Sequence, residues 1–208
     1  MTPGIDAALA LLALLVALGL RPWRAVGRDG PPWPWLAWAS AMPLLWAADR
    51  FVATPVVQPL SGAALLVLLA GWPLAMLALL PVAGLVALVA GLDAASVLHR
   101  AVWLGVVPGT LALALGLALR RWLPRHLFVY ILGRAFIGTA LATAAAGWLS
   151  SWLHGAPAGL SADDLVLGRW LAAWGDAWIA GLTTAIFVAY RPHWLATYTD
   201  RLYLPTQR

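Results

Sequence analysis

The chain has 208 residues, 63% hydrophobic and only 10% charged, with a mean hydropathy of +0.86 and a formal charge of +5, where a soluble domain runs at about 45–50% apolar and about 25% charged. All 13 basic residues other than histidine are arginine, all eight acids are aspartate, and there is no cysteine. The missing lysine excludes P-loop nucleotide hydrolysis and Schiff-base chemistry, and the missing cysteine excludes thiolate metal sites, iron–sulfur clusters, disulfides and thiol nucleophiles.

What remains is a single integral membrane domain over residues 1–208, because a span needs roughly 20 apolar residues and almost the whole chain reads as spans with short connections. The arginines sit in those connections beside apolar runs. That is a topology signal, not a phosphate-binding face, so nucleic acid is excluded as a partner.

The first apolar run, Asp6 to Leu20, is followed by Arg21, Arg24 and Arg28 and preceded by no arginine. A secretory signal has the opposite charge order, so this is a retained span with its N-terminus away from the cytoplasm. Gly30-Pro31-Pro32-Trp33-Pro34 breaks the chain, and Trp33, Trp35 and Trp38 fit an interfacial belt opening a second span that runs to about Ala48. Asp49-Arg50 and FVATPVVQP form an irregular external connection.

Leu60 to Leu92 is apolar throughout and, as one helix of about 50 Å, too long for a single crossing. Gly71-Trp72-Pro73 divides it into a short third span, Leu60–Ala70, and a fourth, Pro73–Gly91. A polar turn, Asp93 to Arg100, leads to a fifth span, Ala101–Leu119. The sixth covers Leu127 to about Leu153, His154 to Gly168 is the longest external loop, and the seventh covers Trp170–Tyr190 before a polar tail.

The expected fold is therefore all-α and polytopic, with seven transmembrane helices, an external N-terminus and a cytoplasmic C-terminus. On that topology nine arginines fall on the cytoplasmic side and three outside, as the positive-inside rule requires, and Arg134 lies within the membrane. Small residues spaced four apart, Ala13 and Ala17 in span one and Gly138, Ala142 and Ala146 in span six, mark faces for close helix packing or for a docked membrane subunit.

The residues that could carry chemistry are few. Arg134 and Asp176 are ionisable groups inside apolar spans, which are costly there unless partnered, so both are substrate or gating candidates; an ion pair between the two helices and snorkelling of Arg134 are the structural alternatives. His99 and Asp93 are the only His and Asp close together in the external segments, and they complete the candidate set. No H-x-x-H or H-E-x-x-H spacing puts two histidines on one helix face. An enzyme built on Asp176 or His126 lacks a nucleophile, base and orienting group assembled by spacing, so no catalytic residue is expected.

Two segments, LPRHLFVYILGRAFIGTALA (Leu123–Ala142) and GDAWIAGLTTAIFVAYRPHWLATYTDRLYL (Gly175–Leu204), resemble the C-terminal half of energy-coupling factor (ECF) transporter permeases of the cobalt and nickel substrate-binding type, in their proteobacterial branch. Weaker similarity reaches back to about Pro59. The resemblance implies a substrate-capture (S) component in the bacterial inner membrane, multi-pass and with no ATP hydrolysis or cofactor of its own. It also implies a coupling T-component and ATPase subunits as partners, and Co²⁺ or Ni²⁺ as transported ion.

Where the family carries Asn and Glu this chain has Arg134 and Asp176. Metal-binding members begin Met-His and add a histidine before span three, whereas here those positions are Thr2 and Pro59. The family's square-planar nitrogen site is therefore not carried over. An accessory or scaffold membrane protein of the same fold, without metal transport, is the alternative reading.

Overall fold

A computed structural model describes residues 3–24, 33–51, 58–155 and 159–203; Thr2, Gly30–Pro32, Leu204 and most of the expected Asp49–Pro59 connection fall outside them. Among the described residues all regular structure is helical: α1 (Pro3–Gly19), α2 (Pro34–Trp46), α3 (Ala48–Phe51), α4 (Ala63–Ala70), α5 (Trp72–Ala90), α6 (Ala94–Trp122), α7 (Val129–His154), α8 (Ala162–Tyr190) and α9 (Asp200–Tyr203). Helices α5, α6, α7 and α8, of 19, 29, 26 and 29 residues, are long and apolar enough to cross a bilayer. Their exposed surfaces are studded with apolar side chains such as Leu88, Leu132, Trp152 and Leu171, as a lipid-facing surface demands. The chain is an all-α membrane protein.

Helix α4 is the centre of the molecule. Its eight residues extend about 12 Å, less than half a bilayer, and every one is buried. One side of it packs with Met42, Trp46, Met76 and Val82, the other with Tyr130, Ala180, Leu195 and Tyr198, so two apolar clusters meet on this half-length helix. It stops where Gly71 turns to φ 77° ahead of Pro73, the break expected from Gly71-Trp72-Pro73.

A short buried helix leaves orphan N–H groups at one end and orphan carbonyls at the other, with no water to take them. Both ends are satisfied here by residues distant in sequence. At the start, Ser61 N and Gly62 N donate to the Asp176 carboxylate at 3.0 and 3.1 Å, and Trp46 and Trp38 indoles donate to the Ser61 and Gly62 carbonyls, each at 2.8 Å. Gly62 sits at φ 68° with the Trp38 ring 3.1 Å from where a Cβ would stand, so only glycine fits. At the far end, Ala196 N donates to the Leu69 carbonyl and Thr197 Oγ1 to that of Leu68, both at 3.2 Å. The tail read as polar thus folds back with Leu195, Tyr198 and Tyr203 buried, because those carbonyls need donors.

Two segments read as polar connections are helical instead. The Asp93–Arg100 turn is the start of α6: Asp93 caps it by accepting from Ala95 N and Ser96 N at 3.1 and 3.2 Å. Part of the His154–Gly168 loop is the start of α8, where Ser161 caps the helix by accepting from Asp164 N at 3.1 Å and donates its hydroxyl to the Asp164 carboxylate at 2.7 Å. Arg169, expected in that loop, is consequently buried in α8, where it and Gln58 crowd the face of Gly147.

Helix α6 widens to a π-helix over Ala101–Val106. Pro108 has no N–H to give the Leu104 carbonyl one turn back, and Ser61 Oγ supplies the donor at 2.6 Å. Helix α7 begins with a second π-helical stretch, Val129–Ile137, which carries Arg134. The small-residue faces are internal: Ala13, Ala17, Gly138, Ala142 and Ala146 are all buried within the chain.

Arg100 of α6 forks onto Asp49 of α3, with nitrogen–oxygen distances of 2.8 and 2.5 Å, and donates to the Trp46 carbonyl. The hydrogen bond from Arg100 holds the Asp49 carboxyl below its ordinary value. A lowered folded-state pKa stabilises above the unfolded value and is lost as pH falls through the folded one. Arg100→Gln is therefore expected to lower the melting temperature at pH 7, by at most about 1 kcal/mol for this partly exposed pair, with the gap to the parent closing as acid protonates the Asp49 carboxyl, below its ordinary range. Melting curves at pH 7 and in acid check this.

Candidate metal centre

Three helix ends converge on one buried carboxylate. Asp6 stands in the first turn of α1, His99 and Trp103 one turn apart near the start of α6, and His154 is the last residue of α7. The Asp93 cap fixes where α6 begins, and Gly155 at φ 82° ends α7 immediately after His154.

Asp6 is 2% exposed, and a carboxylate so placed is strongly unfavourable unless donors or a cation surround it. His99 Nδ1 lies 2.9 Å from Asp6 Oδ2, and Trp103 Nε1 donates to Oδ1 at 2.9 Å. His154 Nε2 is 3.3 Å from Oδ1 but is not aligned to hydrogen-bond to it, so a buried ring nitrogen is aimed at the carboxylate without a partner. The His99 and His154 rings stand edge to face at 4.9 Å, and Trp103 stands edge to face with His154 at 5.4 Å.

One carboxylate oxygen and two imidazole nitrogens all lie within 4.8 Å of one another. An ion with bonds of about 2.0–2.2 Å to such donors holds its ligand atoms roughly 3–3.5 Å apart, so this arrangement needs only small rotations to close on a cation. Two imidazole nitrogens and one carboxylate oxygen suit a divalent transition ion, and they leave coordination positions for water. His154 is enclosed, whereas the His99 side chain is 24% exposed and forms the accessible wall.

Trp103 is not a ligand. It holds the Asp6 oxygen that would face the ion, the role outer hydrogen-bond partners play around metals. Trp103→Phe is expected to keep the fold and to weaken metal binding by about 10–100-fold, as read by titration of the purified protein with Zn²⁺ or Ni²⁺.

The four candidates from the sequence occupy different places. His99 is in the triad. Asp93 is not, since both its oxygens are engaged with Ala95 and Ser96. Asp176 holds the start of α4. Arg134 is buried 5.7 Å from the centroid of the Tyr130 ring, and no ion pair links it to Asp176 among the described residues.

Asp6 and His154 were not singled out, because 93 residues separate Asp6 from His99 and no local spacing joins the three. The expected topology did put all three at the external end of the bundle. Comparison with protein-family models, curated proteins and solved structures finds no significant match to this chain.

Proposed function

We propose that this protein is the substrate-capture component of an ECF-type transporter, and that its substrate is a divalent transition-metal ion taken up at Asp6, His99 and His154. The observation that carries the reading is the convergence of two imidazoles and a buried carboxylate from α1, α6 and α7 at one end of the helical bundle. The resemblance of Leu123–Ala142 and Gly175–Leu204 to cobalt and nickel permeases supports it independently. The different ligand positions account for the missing histidines at Thr2 and Pro59.

On this reading the chain crosses the bacterial inner membrane seven times with α1 entering from outside, α4 serving as a half-length span completed by its neighbours. Half-length helices buried at mid-membrane are a recurring element of transport sites. Ion arriving from outside meets the accessible His99 first, then Asp6 and His154. Uptake requires an energy source that this lysine-free chain lacks, so a T-component and ATPase subunits complete the system.

The test has two parts. Isothermal titration of purified protein with Ni²⁺, Co²⁺ and Zn²⁺ should show one site of micromolar or tighter affinity. Gentle purification from the native membrane should bring down an ATPase and a second membrane subunit. A protein that binds none of the three ions and co-purifies with neither subunit is the accessory or scaffold protein.

A further inference from the structure

Arg134 is 7% exposed, and a guanidinium remains protonated at any accessible pH. Its Nε has no hydrogen-bond partner, and no carboxylate lies within 4.0 Å among the described residues. The face of Tyr130, 5.7 Å away, offers a cation–π contact worth up to about 2 kcal/mol when desolvated. Burying an uncompensated charge costs several kcal/mol, so the aromatic face alone does not balance it.

The surroundings are built for this side chain. On α6, Gly116 leaves the space: a Cβ there would stand 2.7 Å from Arg134 Nε and 3.1 Å from Cζ. The π-helical opening of α7 carries Arg134 to that point. The side chain borders a narrow cleft of about 10 Å³, lined also by Arg120, Arg125 and Tyr203, room for about one water, with Arg120 and Arg125 exposed at its mouth. Among the described residues three arginines and no acid line this cleft. A bound anion would offset their like charge.

The position identifies the anion's source. Arg120 stands at the end of α6, two residues before Trp122, and Arg125 in the connection to α7, between Trp122 and Phe128, which are 78% and 65% exposed. Exposed aromatic residues flanking basic ones mark the headgroup level of a bilayer, and basic pockets between transmembrane helices take lipid phosphates. We infer that the basic mouth of this cleft binds the phosphate of an anionic lipid headgroup, with Arg120 and Arg125 as its direct contacts and the buried Arg134 charge beneath them. This does not rest on the metal site, which lies at the opposite ends of α6 and α7.

The test uses the full chain in nanodiscs of phosphatidylglycerol or of phosphatidylcholine, together with native mass spectrometry of lipid retained from mixed micelles. Phosphatidylglycerol should be retained preferentially and should raise the melting temperature above that in phosphatidylcholine. Arg134→Gln should weaken the retention about fivefold, the effect of one arginine near an anionic surface, and should shrink the melting difference. Should Arg134→Gln fail to fold, Arg120→Gln with Arg125→Gln, both exposed, reads the same loss. Equal retention and equal melting in the two lipids overturns the inference. So does protection by millimolar inorganic phosphate equal to that by phosphatidylglycerol, which would assign the cleft to a soluble anion.

Discussion

Asp176→Ala is expected to be the most destabilising single substitution among the polar residues described here, lowering stability by roughly 2–6 kcal/mol, the cost of leaving two buried amides without an acceptor. The carboxylate accepts from Ser61 N and Gly62 N at once, so alanine orphans two buried amides, each costing about 1–3 kcal/mol. The loss spreads, since Trp38, Trp46 and the Leu104 carbonyl all depend on the position of Ser61 and Gly62. Asp176→Asn keeps one acceptor oxygen and should fall between alanine and the parent.

In a thermal melt the alanine variant should unfold at least about 4 °C below the parent, since 1 kcal/mol shifts a chain of this size by about 2–4 °C. A shift within 1–2 °C of zero, less than about 1 kcal/mol, would remove Asp176 from this role. Because Arg134 does not touch Asp176, Arg134→Gln combined with Asp176→Ala should show additive losses within about 0.5 kcal/mol. A larger coupling would show that the two side chains meet.

His154→Ala should abolish metal binding while leaving the bundle folded, because His154 closes α7 and makes no aligned hydrogen bond to Asp6. Loss of one of three ligands should cost more than the 10–100-fold of an outer partner, so the affinity should drop by at least about 100-fold. A second readout separates binding from folding. Metal at 100 times its Kd stabilises a folded protein by about 2.7 kcal/mol, so excess Zn²⁺ or Ni²⁺ should raise the parent's melting temperature and leave that of His154→Ala unmoved. Binding should also weaken as pH falls, because imidazole and carboxylate ligands must be deprotonated to coordinate. If metal stabilises parent and variant equally, the triad is a hydrogen-bonded cluster and the ion binds elsewhere.

The sequence by itself determined the class of structure. Apolar runs of bilayer length and the Gly71-Trp72-Pro73 break are local signals: four of the runs resurface as helices long enough to cross a bilayer, and the break as a helix end. The caps at Asp93 and Ser161 were equally legible as Asp-x-x-Ser and Ser-x-x-Asp, but the polar residues around them read as loop. Their reading extends α6 and α8 and carries His99 into a helix.

Only the tertiary structure decided what the charged residues do. Asp6 marks the edge of a span in sequence, and becomes the centre of a triad only when α1, α6 and α7 end beside one another. Arg134 and Asp176 look like partners because both are charges in apolar spans. Asp176 instead answers the unsatisfied amides of α4, and Arg134 faces Tyr130 and borders the cleft at the far end of α7. A buried carboxylate goes to whichever donors lie within hydrogen-bonding reach, and periodicity along a helix does not say which helix end will be brought there.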